Sequence, residues 1–525
     1  MKKRISGKRS VWLVMLAAIM LIAAGCQAVG GLDLNKTLKQ AFQVNAYEGS
    51  QTIELKLQFA EDALRGAPAD ETALMRMLSN MKLQLDDIKM KDADHLSVSG
   101  LLALDNKQIG FSIAMDNKLA VLQLDGAKAP IVLELSDDGS LMEGLSQESI
   151  TAASKQMVEA VANYAIDNLP NPSKITAASV QETVLGESLS LMHVQAELSG
   201  KEIWTWISSY LEALLKDEQG LKKTLTTIYE LVQSQTPTIE AVGGDNIFGT
   251  LLDEDSDEAV ADAFDYFLEG LRQMKDGMKE IEQDPESGFD KIFNPNTYAK
   301  ADVYVDSSLN IRKAIMEAAI VPSLEQEEID SEFPLQAIHF RSITERKNIN
   351  GEVTTDKVTR PGNGLNLERL AEMEGYEILQ QFDPKSAIYK LLRNDMHITR
   401  QQIYMHPEYS YVPPVVLPSG ITLVPLRDTA ERLGASLKAT AKAKKITVHD
   451  PATATTIQLA KGSDQVYVNG KKQKWSFPVT VINGVTYVPG RDFAKALGGK
   501  IYWENVTYDW ETGNYDKYLI LQREP

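Results

Sequence analysis

The sequence predicts an α+β protein: an antiparallel sheet with covering helices in an N-terminal body, then a small C-terminal α+β domain built from two repeats. Three observations support this prediction. Short strand-like segments alternate with turn-forming residues, longer segments of helical periodicity interrupt them, and a C-terminal motif recurs at an offset of 64 residues. Antiparallel strands accept short connections, whereas parallel strands need long crossovers, so closely spaced strands favour antiparallel pairing.

The composition excludes several classes of protein. The chain has 525 residues, with 54 Lys and Arg, 73 Asp and Glu, one Cys and a formal charge of -19. Its hydrophobic fraction of 43% is ordinary for a globular protein and argues against wholesale disorder. A single Cys excludes an internal disulfide and Cys-rich metal sites. Because a net negative chain repels phosphate backbones, no nucleic-acid partner is expected, and no cofactor or metal is expected either.

The N-terminus indicates export. Residues 1–10 carry five basic side chains and no acid, and an uncharged, largely apolar run follows from Val11 to Gly25. The run ends in Leu-Ile-Ala-Ala-Gly before Cys26, which resembles a bacterial lipobox. We therefore predict a lipoprotein signal peptide over 1–25, lipid attachment at Cys26, and the membrane as partner through an N-terminal diacylglyceryl anchor. The protein would then lie on the outer face of the cytoplasmic membrane.

Residues 26–350 are predicted to form the acidic α+β body. A small amphipathic helix is expected within 27–45. Strands are predicted at 50–58, 82–91, 95–104, 108–115, 119–125, 129–135, 173–183, 187–199, 299–306, 310–320 and 334–347. Helices are predicted at 151–169, at 202–234 with a kink or break near Gly220, and at 257–283.

Residues 351–404 are predicted to be a linker with short helices. Pro361-Gly362-Asn363-Gly364 is a cluster of helix and strand breakers, and two short helical segments are expected near 366–374 and 384–394. Further prolines after 405 mark the entry to the last domain, 405–525.

The last domain repeats itself. The segment Gly420–Gly434 matches Gly484–Gly498, and each copy is predicted to be a strand followed by a short helix. Proline is expected in the first helical turn and the final glycine is expected as a left-handed cap. The residues of this structural repeat motif are Gly420, Val424, Pro425, Arg427, Asp428, Leu433, Gly434, Gly484, Val488, Pro489, Arg491, Asp492, Leu497 and Gly498.

The repeated motif resembles the copper amine oxidase N-terminal-like, or stalk, domain found on many Gram-positive surface proteins. That family has a Gly-x-Thr-x-Val-Pro-x-Arg run, often in two copies with a Val-Asn-Gly turn between them, and Val468-Asn469-Gly470 occupies that place here. The resemblance covers about 405–525 and implies a small unit of strands packed on short helices. Gly490 stands where the family usually has Leu, which is expected to loosen the start of the second helix.

The family name suggests amine oxidase chemistry, but the residues argue against an enzyme. Asn514-Tyr515-Asp516 matches the motif from which such oxidases make a quinone. No His follows His449, however, and the chain has no His-x-His pair, so the copper ligands are missing. A hairpin turn at Gly513-Asn514 is the preferred interpretation.

Two further motifs have ordinary structural interpretations. Asp253–Glu258 resembles the start of a calcium loop, but Glu258 replaces the required Gly, and Phe264 replaces the required Glu. These acids are expected to favour the start of the 257–283 helix, and weak calcium binding is the alternative. Arg427 and Arg491 are expected to form a repeated salt bridge or carbonyl cap rather than a ligand site.

Charge is distributed unevenly. Residues 405–525 contain 15 Lys and Arg against 11 Asp and Glu, although the whole chain is acidic. Basic residues cluster at Lys438, Lys442, Lys444 and Lys445, and again at Lys471, Lys472 and Lys474. One hypothesis is that this basic region contacts anionic cell-wall polymers or lipid headgroups; the alternative is that these lysines belong to solvated turns.

These observations predict a non-enzymatic, lipid-anchored surface protein that acts in envelope binding, adhesion or assembly through its stalk domain. The alternative is a carrier of lipids or amphiphiles, because lipid-anchored half-barrels share the broad outline of residues 30–350. A large apolar cavity would favour the carrier.

Overall fold

A computed structural model describes residues 29–66, 69–135, 147–241, 256–323, 335–440, 445–509 and 514–525. The protein is mixed α+β with large antiparallel sheets, as predicted. The chain forms two compact units. Unit 1 comprises Met1–Asp125 and Ala129–Leu367, and unit 2 comprises Gly126–Lys128 and Glu368–Pro525. Among the described helices, none combines the length and hydropathy needed to cross a bilayer.

A twelve-stranded sheet forms the framework of unit 1. Its strands are β1 (Tyr47–Phe59), β2 (Asn80–Met90), β3 (Leu96–Leu104), β4 (Lys107–Met115), β5 (Leu119–Leu124), β6 (Ile131–Glu134), β7 (Lys174–Val184), β8 (Glu187–Ser199), β9 (Tyr298–Val305), β10 (Ile311–Ile320), β11 (Leu335–Lys347) and β12 (Leu365–Asn366). Their order is β12-β6-β5-β4-β3-β2-β1-β11-β10-β9-β8-β7. The predicted strands of the body are confirmed to within a few residues.

Two antiparallel series meet at the centre of this sheet. β1 to β6 form the predicted meander, and β7 to β11 form a second series in which β8 and β9 are separated by helices. The two series are connected because β1 pairs with β11. In this register Glu48 lies opposite Lys347, and Leu55 lies opposite Phe340. Among the described strands of this sheet, only β12 runs parallel to its neighbour, β6.

The two faces of the sheet differ in chemistry because side chains alternate along each strand. The inner face, which carries Leu55, Phe340, Ala318 and Ala299 on neighbouring strands, is apolar. The polar face carries the intervening residues, such as Glu54, Arg341, Glu317 and Lys300. The core of unit 1 therefore lies on one side of the sheet.

Helices cover part of the inner face. The described α-helices of unit 1 are α1 (Leu34–Phe42), α2 (Glu61–Gly66), α3 (Ala69–Ser79), α4 (Gln147–Asp167), α5 (Gly200–Lys216), α6 (Glu218–Ala241), α7 (Ser256–Gln283) and α8 (Phe289–Ile292). Ile203 and Trp206 of α5 pack with Leu198, Ala299 and Ala318 of the sheet. Trp204, on another side of α5, packs with Phe293 and Ile320.

The predicted 202–234 helix is two helices. α5 ends at Lys216, and Asp217 intervenes before α6, so the break lies just before the expected Gly220. Asp217 accepts a hydrogen bond from the Gly220 N–H at 2.9 Å. This contact satisfies one of the amides that are left without partners at the start of a helix.

Unit 2 contains three small sheets and several short helices. Its helices are α9 (Leu367–Ala371, whose first residue belongs to unit 1), α10 (Gly375–Leu379), α11 (Ala387–Lys390), α12 (Leu426–Arg432) and α13 (Gly490–Ala496). Its strands are β13 (Gln401–Met405), β14 (Val415–Val416), β15 (Thr422–Pro425), β16 (Ser436–Thr440), β17 (Lys445–Asp450), β18 (Thr455–Ala460), β19 (Gln465–Val468), β20 (Lys471–Lys474), β21 (Thr480–Ile482), β22 (Val485–Pro489), β23 (Gly499–Asp509) and β24 (Asn514–Arg523). The sheets have the orders β13-β24-β23, β14-β15-β22-β21 and β16-β17-β18-β19-β20.

The region 351–404, predicted as a linker with short helices, contains β12, α9 to α11 and most of β13. β13 pairs with β24, the last strand of the chain, placing Ile403 opposite Leu521. Both of these side chains belong to the main core of unit 2.

The two repeats meet about a local twofold axis. Val424 of β15 lies directly opposite Val488 of β22, and these are equivalent positions of the repeat. Leu423 pairs with Pro489 just as Tyr487 pairs with Pro425. Both valines are fully buried, so the repeated sequence forms its own antiparallel interface at the centre of unit 2.

Candidate functional site

The five-stranded sheet of unit 2 has one buried and one exposed face. Along β17, β18 and β19 the buried residues alternate with exposed or partly exposed ones. The buried set enters the unit 2 core: Ile446, Val448, Ile457, Leu459, Val466 and Val468. Because successive side chains point to opposite faces, the intervening residues form a surface.

Basic and neutral polar residues make up this surface, which we call the basic face. One row crosses all five strands as Lys438, Thr447, Gln458, Tyr467 and Lys472. Beside it, on the same face, Lys445 pairs with Ala460, and Gln465 pairs with Lys474. No Asp or Glu occupies these positions.

The lysines of the basic face are available to a partner. Lys474 Nζ lies 3.5 Å from Asp464 Oδ2, but the Lys474 side chain is 78% exposed. Lys438, Lys445 and Lys472 are exposed and form no ion pair with any described residue. Lys442 and Lys444, predicted to cluster with them, lie outside the described residues.

The spacing of the lysines favours an extended anion. Lys438 and Lys472 are on the first and last strands of the sheet, so about 19 Å separates their backbones at the usual distance between strands. One phosphate ion cannot contact both. The Thr, Gln and Tyr side chains between them offer hydrogen bonds along the same line.

A tight turn positions Lys471 to Lys474. Asn469 and Gly470 connect β19 to β20 with φ values of +50° and +77°, the left-handed conformation that a two-residue hairpin requires. The Asn469 side chain accepts a hydrogen bond from the Thr456 N–H at 2.7 Å, which ties the turn to β18. This is the Val-Asn-Gly turn noted in the sequence.

The motif residues have repeated structural positions. Gly420 and Gly484 precede their strands with φ of +81° and +84°, and Gly434 and Gly498 follow their helices with φ of +75° and +73°. All four conformations favour glycine because it has no Cβ. The side chains of Val424, Val488, Leu433 and Leu497 are buried in the core.

Pro425 and Pro489 do not lie in the first helical turn. Each is the last residue of its strand and the N-cap of its helix, with φ and ψ of -68° and 114° for Pro425 and -65° and 118° for Pro489. Proline suits this extended position because its φ is fixed near these values.

The Arg-Asp pairs differ between the two repeats. On the surface, Arg427 pairs with Glu431 at 2.8 Å. In the second copy Lys495 replaces the equivalent of Glu431, so the exposed Arg491 has no carboxylate at that position. Asp428 lies 3.6 Å from Arg432. Asp492 instead accepts hydrogen bonds from the N–H and hydroxyl of Ser476 at 2.8 and 2.6 Å. The expected salt bridge is present in the first copy, at Arg427.

Gly490 does not shorten the second helix. α13 and α12 both have seven residues and begin at equivalent positions, Gly490 and Leu426. A Cβ on Gly490 would lie 3.0 Å from side-chain atoms of Ile501 and Val424. Close packing against Val424 of the first repeat and Ile501 of β23 leaves little room for a larger side chain here.

The comparison with protein families agrees with this geometry. Residues 403–511 match the copper amine oxidase N-terminal domain. The match contains both repeats and the complete basic face. A search of the curated proteins finds no significant match to the chain.

One polar contact inside unit 2 was not predicted from the sequence. Arg523 and Asp450 form a two-armed ion pair, with Nη1–Oδ2 and Nη2–Oδ1 distances of 2.6 and 3.0 Å, and both side chains are completely buried. Arg523 also donates to the Leu433 carbonyl at the end of α12 and to the Gln401 side chain. Arg523 lies two and four residues after Leu521 and Leu519 on the same strand, so its side chain points to the same inner face. This alternation is the sequence signal that could have predicted its burial.

The Asn-Tyr-Asp motif lies at the start of β24. Tyr515 is 60% exposed, and Asp516 Oδ2 lies 3.7 Å from His406 Nε2. The other ring nitrogen of His406 accepts backbone N–H groups of Glu408 and Tyr409. Among the described residues, no group of three or more His, Cys, Asp or Glu side chains is placed to hold a metal ion.

Other predicted sites fall partly or wholly outside the described residues. Cys26 and the signal peptide 1–25 are outside, as are Asp253, Glu254 and Asp255. Ser256 begins α7, and Asp257 and Glu258 lie in its first turn, where acidic side chains interact favourably with the helix dipole.

Proposed function

We propose that this chain is a non-enzymatic, lipid-anchored envelope protein whose C-terminal domain binds anionic cell-wall polymers. The basic face of unit 2 carries the proposal. Its strand positions present four lysines and no Asp or Glu, and only Lys474 has a carboxylate partner among the described residues, Asp464, in a chain with a net charge of -19. A polymer with regularly spaced negative charges is complementary to this surface and would release counterions on binding.

The N-terminal sequence supports the proposed location. The basic segment, the apolar run and Cys26 together have the order of a lipoprotein signal. A diacylglyceryl group at Cys26 would hold the mature protein at the membrane and leave the basic face to contact wall polymers outside it.

Substitution of the lysines of the basic face tests the proposed binding of wall polymers. In the full-length mature protein, replacing Lys438, Lys445, Lys472 and Lys474 by Gln should weaken binding to purified anionic wall polymer by about tenfold or more at low salt. The matched control replaces four other exposed lysines of unit 2, Lys461, Lys495, Lys500 and Lys517, and removes the same charge. Equal binding by the two variants would exclude the basic face as the site.

An apolar surface in unit 1 favours the carrier as a second candidate function. On the inner face of β2 to β5, Leu85, Leu102, Phe111, Ile113 and Leu122 are only partly buried. Val158 of α4 and Phe267 and Met274 of α7 are about half exposed, at 55%, 51% and 54%. Apolar surface of this kind suits an acyl chain. A lipid that remains bound in native mass spectrometry of the mature protein would favour the carrier.

A further inference from the structure

A cavity of about 360 Å³ lies on the polar face of the unit 1 sheet. Four adjacent strands, β1, β11, β10 and β9, supply its lining. It is lined by the polar residues Glu54, Lys56, Tyr298, Glu317, His339 and Arg341, together with Ala318 and Phe340. The volume lies within the range of small-molecule sites, and five acidic or basic side chains in the lining distinguish it from a purely apolar cavity.

In one row of residues crossing this region, basic and acidic side chains lie next to each other. Across seven neighbouring strands, charges of opposite sign alternate without interruption, in the order Lys174, Glu197, Lys300, Glu317, Arg341, Glu54 and Lys82. Arg341 Nε donates to Glu317 Oε1 at 2.8 Å. Lys300 lies 3.4 Å from Glu197, and Lys82 lies 3.6 Å from Glu54. Both carboxylates that line the cavity therefore already have basic partners.

The next row on the same face breaks the alternation. Lys56 lies directly opposite His339, and its neighbour on the other side is Asn80. The row continues through Ala319, Tyr298 and Ser199, so it contains no acid. Lys56 and His339 are both exposed and form no ion pair with a described residue. Two basic side chains facing each other across a strand pair repel when both are charged, unless an anion lies between them.

We propose that the cavity binds a phosphate-bearing small group, which Lys56 and His339 contact together. A phosphate monoester carries nearly two negative charges at neutral pH, which matches two adjacent basic side chains better than a single carboxylate does. Arg341 lines the same cavity and supplies additional N–H donors. The ring of Tyr298, partly buried and with Lys300 Nζ 5.1 Å from its centre, gives an apolar wall for the organic part of the ligand.

Two sources in a cell envelope carry this chemistry: a soluble phosphate ester and the headgroup of an anionic phospholipid. Isothermal titration calorimetry of the mature protein with glycerol 3-phosphate tests binding of a soluble phosphate ester. Binding to vesicles of phosphatidic acid, with phosphatidylcholine vesicles as reference, tests the second.

The substitutions Lys56→Gln and His339→Gln decide whether the cavity is responsible. Each should weaken binding of the phosphate probe by about tenfold or more, the loss expected for one charge-assisted contact. Lys118→Gln, in the exposed turn between β4 and β5, removes the same charge outside the cavity and should leave binding unchanged. Thermal unfolding of each variant checks that the fold is retained.

The outcomes are distinct. Saturable binding of glycerol 3-phosphate that depends on Lys56 supports a soluble ligand, and Lys56-dependent binding of phosphatidic acid vesicles supports a headgroup site. The proposal is wrong if neither probe binds saturably, or if Lys56→Gln binds as well as Lys118→Gln.

Discussion

At the level of single residues, the ion pair between Arg523 and Asp450 is distinguished by the complete burial of both side chains. It joins the last strand of the chain to β17 and, through the Leu433 carbonyl, to the end of α12. A buried pair costs much desolvation energy, so its net contribution to stability is modest. Removal of only one partner destabilises the fold strongly, because the remaining charge is then buried and unpaired.

We expect Asp450→Asn and Arg523→Met each to destabilise unit 2 by about 3–5 kcal/mol. The double variant should lose less than the sum of the two, since neither charge is then left alone. Urea unfolding followed by hydrogen–deuterium exchange of peptides from unit 2 measures these changes. Arg427→Met, which breaks the exposed pair with Glu431, is the matched control and should cost at most about 1 kcal/mol. Equal losses of stability at the buried and exposed pairs would contradict the role assigned to burial.

At the level of single elements, the start of α5 depends on Glu202. The N–H and hydroxyl of Ser199 donate to its carboxylate at 2.8 and 2.7 Å, and Lys174 Nζ lies 3.2 Å away. Hydrogen bonds from Ser199, followed by the interaction with Lys174, lower the pKa of Glu202 to about 2. These contacts hold the first turn of a helix whose Ile203, Trp204 and Trp206 are buried against the sheet or neighbouring helices.

The lowered pKa of Glu202 predicts a pH dependence of stability. Because the folded state favours the ionised form, the stabilisation is complete above the ordinary pKa of 4.5 and disappears as the pH falls through about 2. Glu202→Gln should therefore be less stable than the wild type at pH 7, and the difference should shrink below pH 4.5. Thermal unfolding of both proteins from pH 7 to pH 2 measures it, and a difference that stays constant with pH would refute the assignment.

At the level of the whole molecule, the proposed anchor requires modification of Cys26. Mass spectrometry of the N-terminal peptide should find a chain that begins at Cys26 and carries a diacylglyceryl group. Cys26→Ala should abolish the lipid mass because only the thiol can be alkylated, while Gln27→Ala should retain it. An unmodified Cys26 in protein extracted from the membrane would refute the anchor.

Much of the local structure could be predicted because its signals are local. The strands of the meander and the 257–283 helix follow from periods of 2 and 3.6 residues. Helices α2 and α3, within 61–79, were not predicted. The charged residues were harder to interpret: Lys438 and Lys472 belong to separate clusters along the chain, yet strand pairing places them in one row.

The mixed α+β class, the extent of most elements and the repeat with its recurring glycines and valines could all be read from the amino-acid order alone. The pairing of β1 with β11, the local twofold axis at Val424 and Val488, and the burial of Arg523 against Asp450 became visible only in the folded chain. The same holds for Lys56, which lies opposite His339 in the cavity of unit 1. The physical reason is that these contacts join residues far apart in the chain, whereas periodicity and turn propensity describe neighbouring residues only.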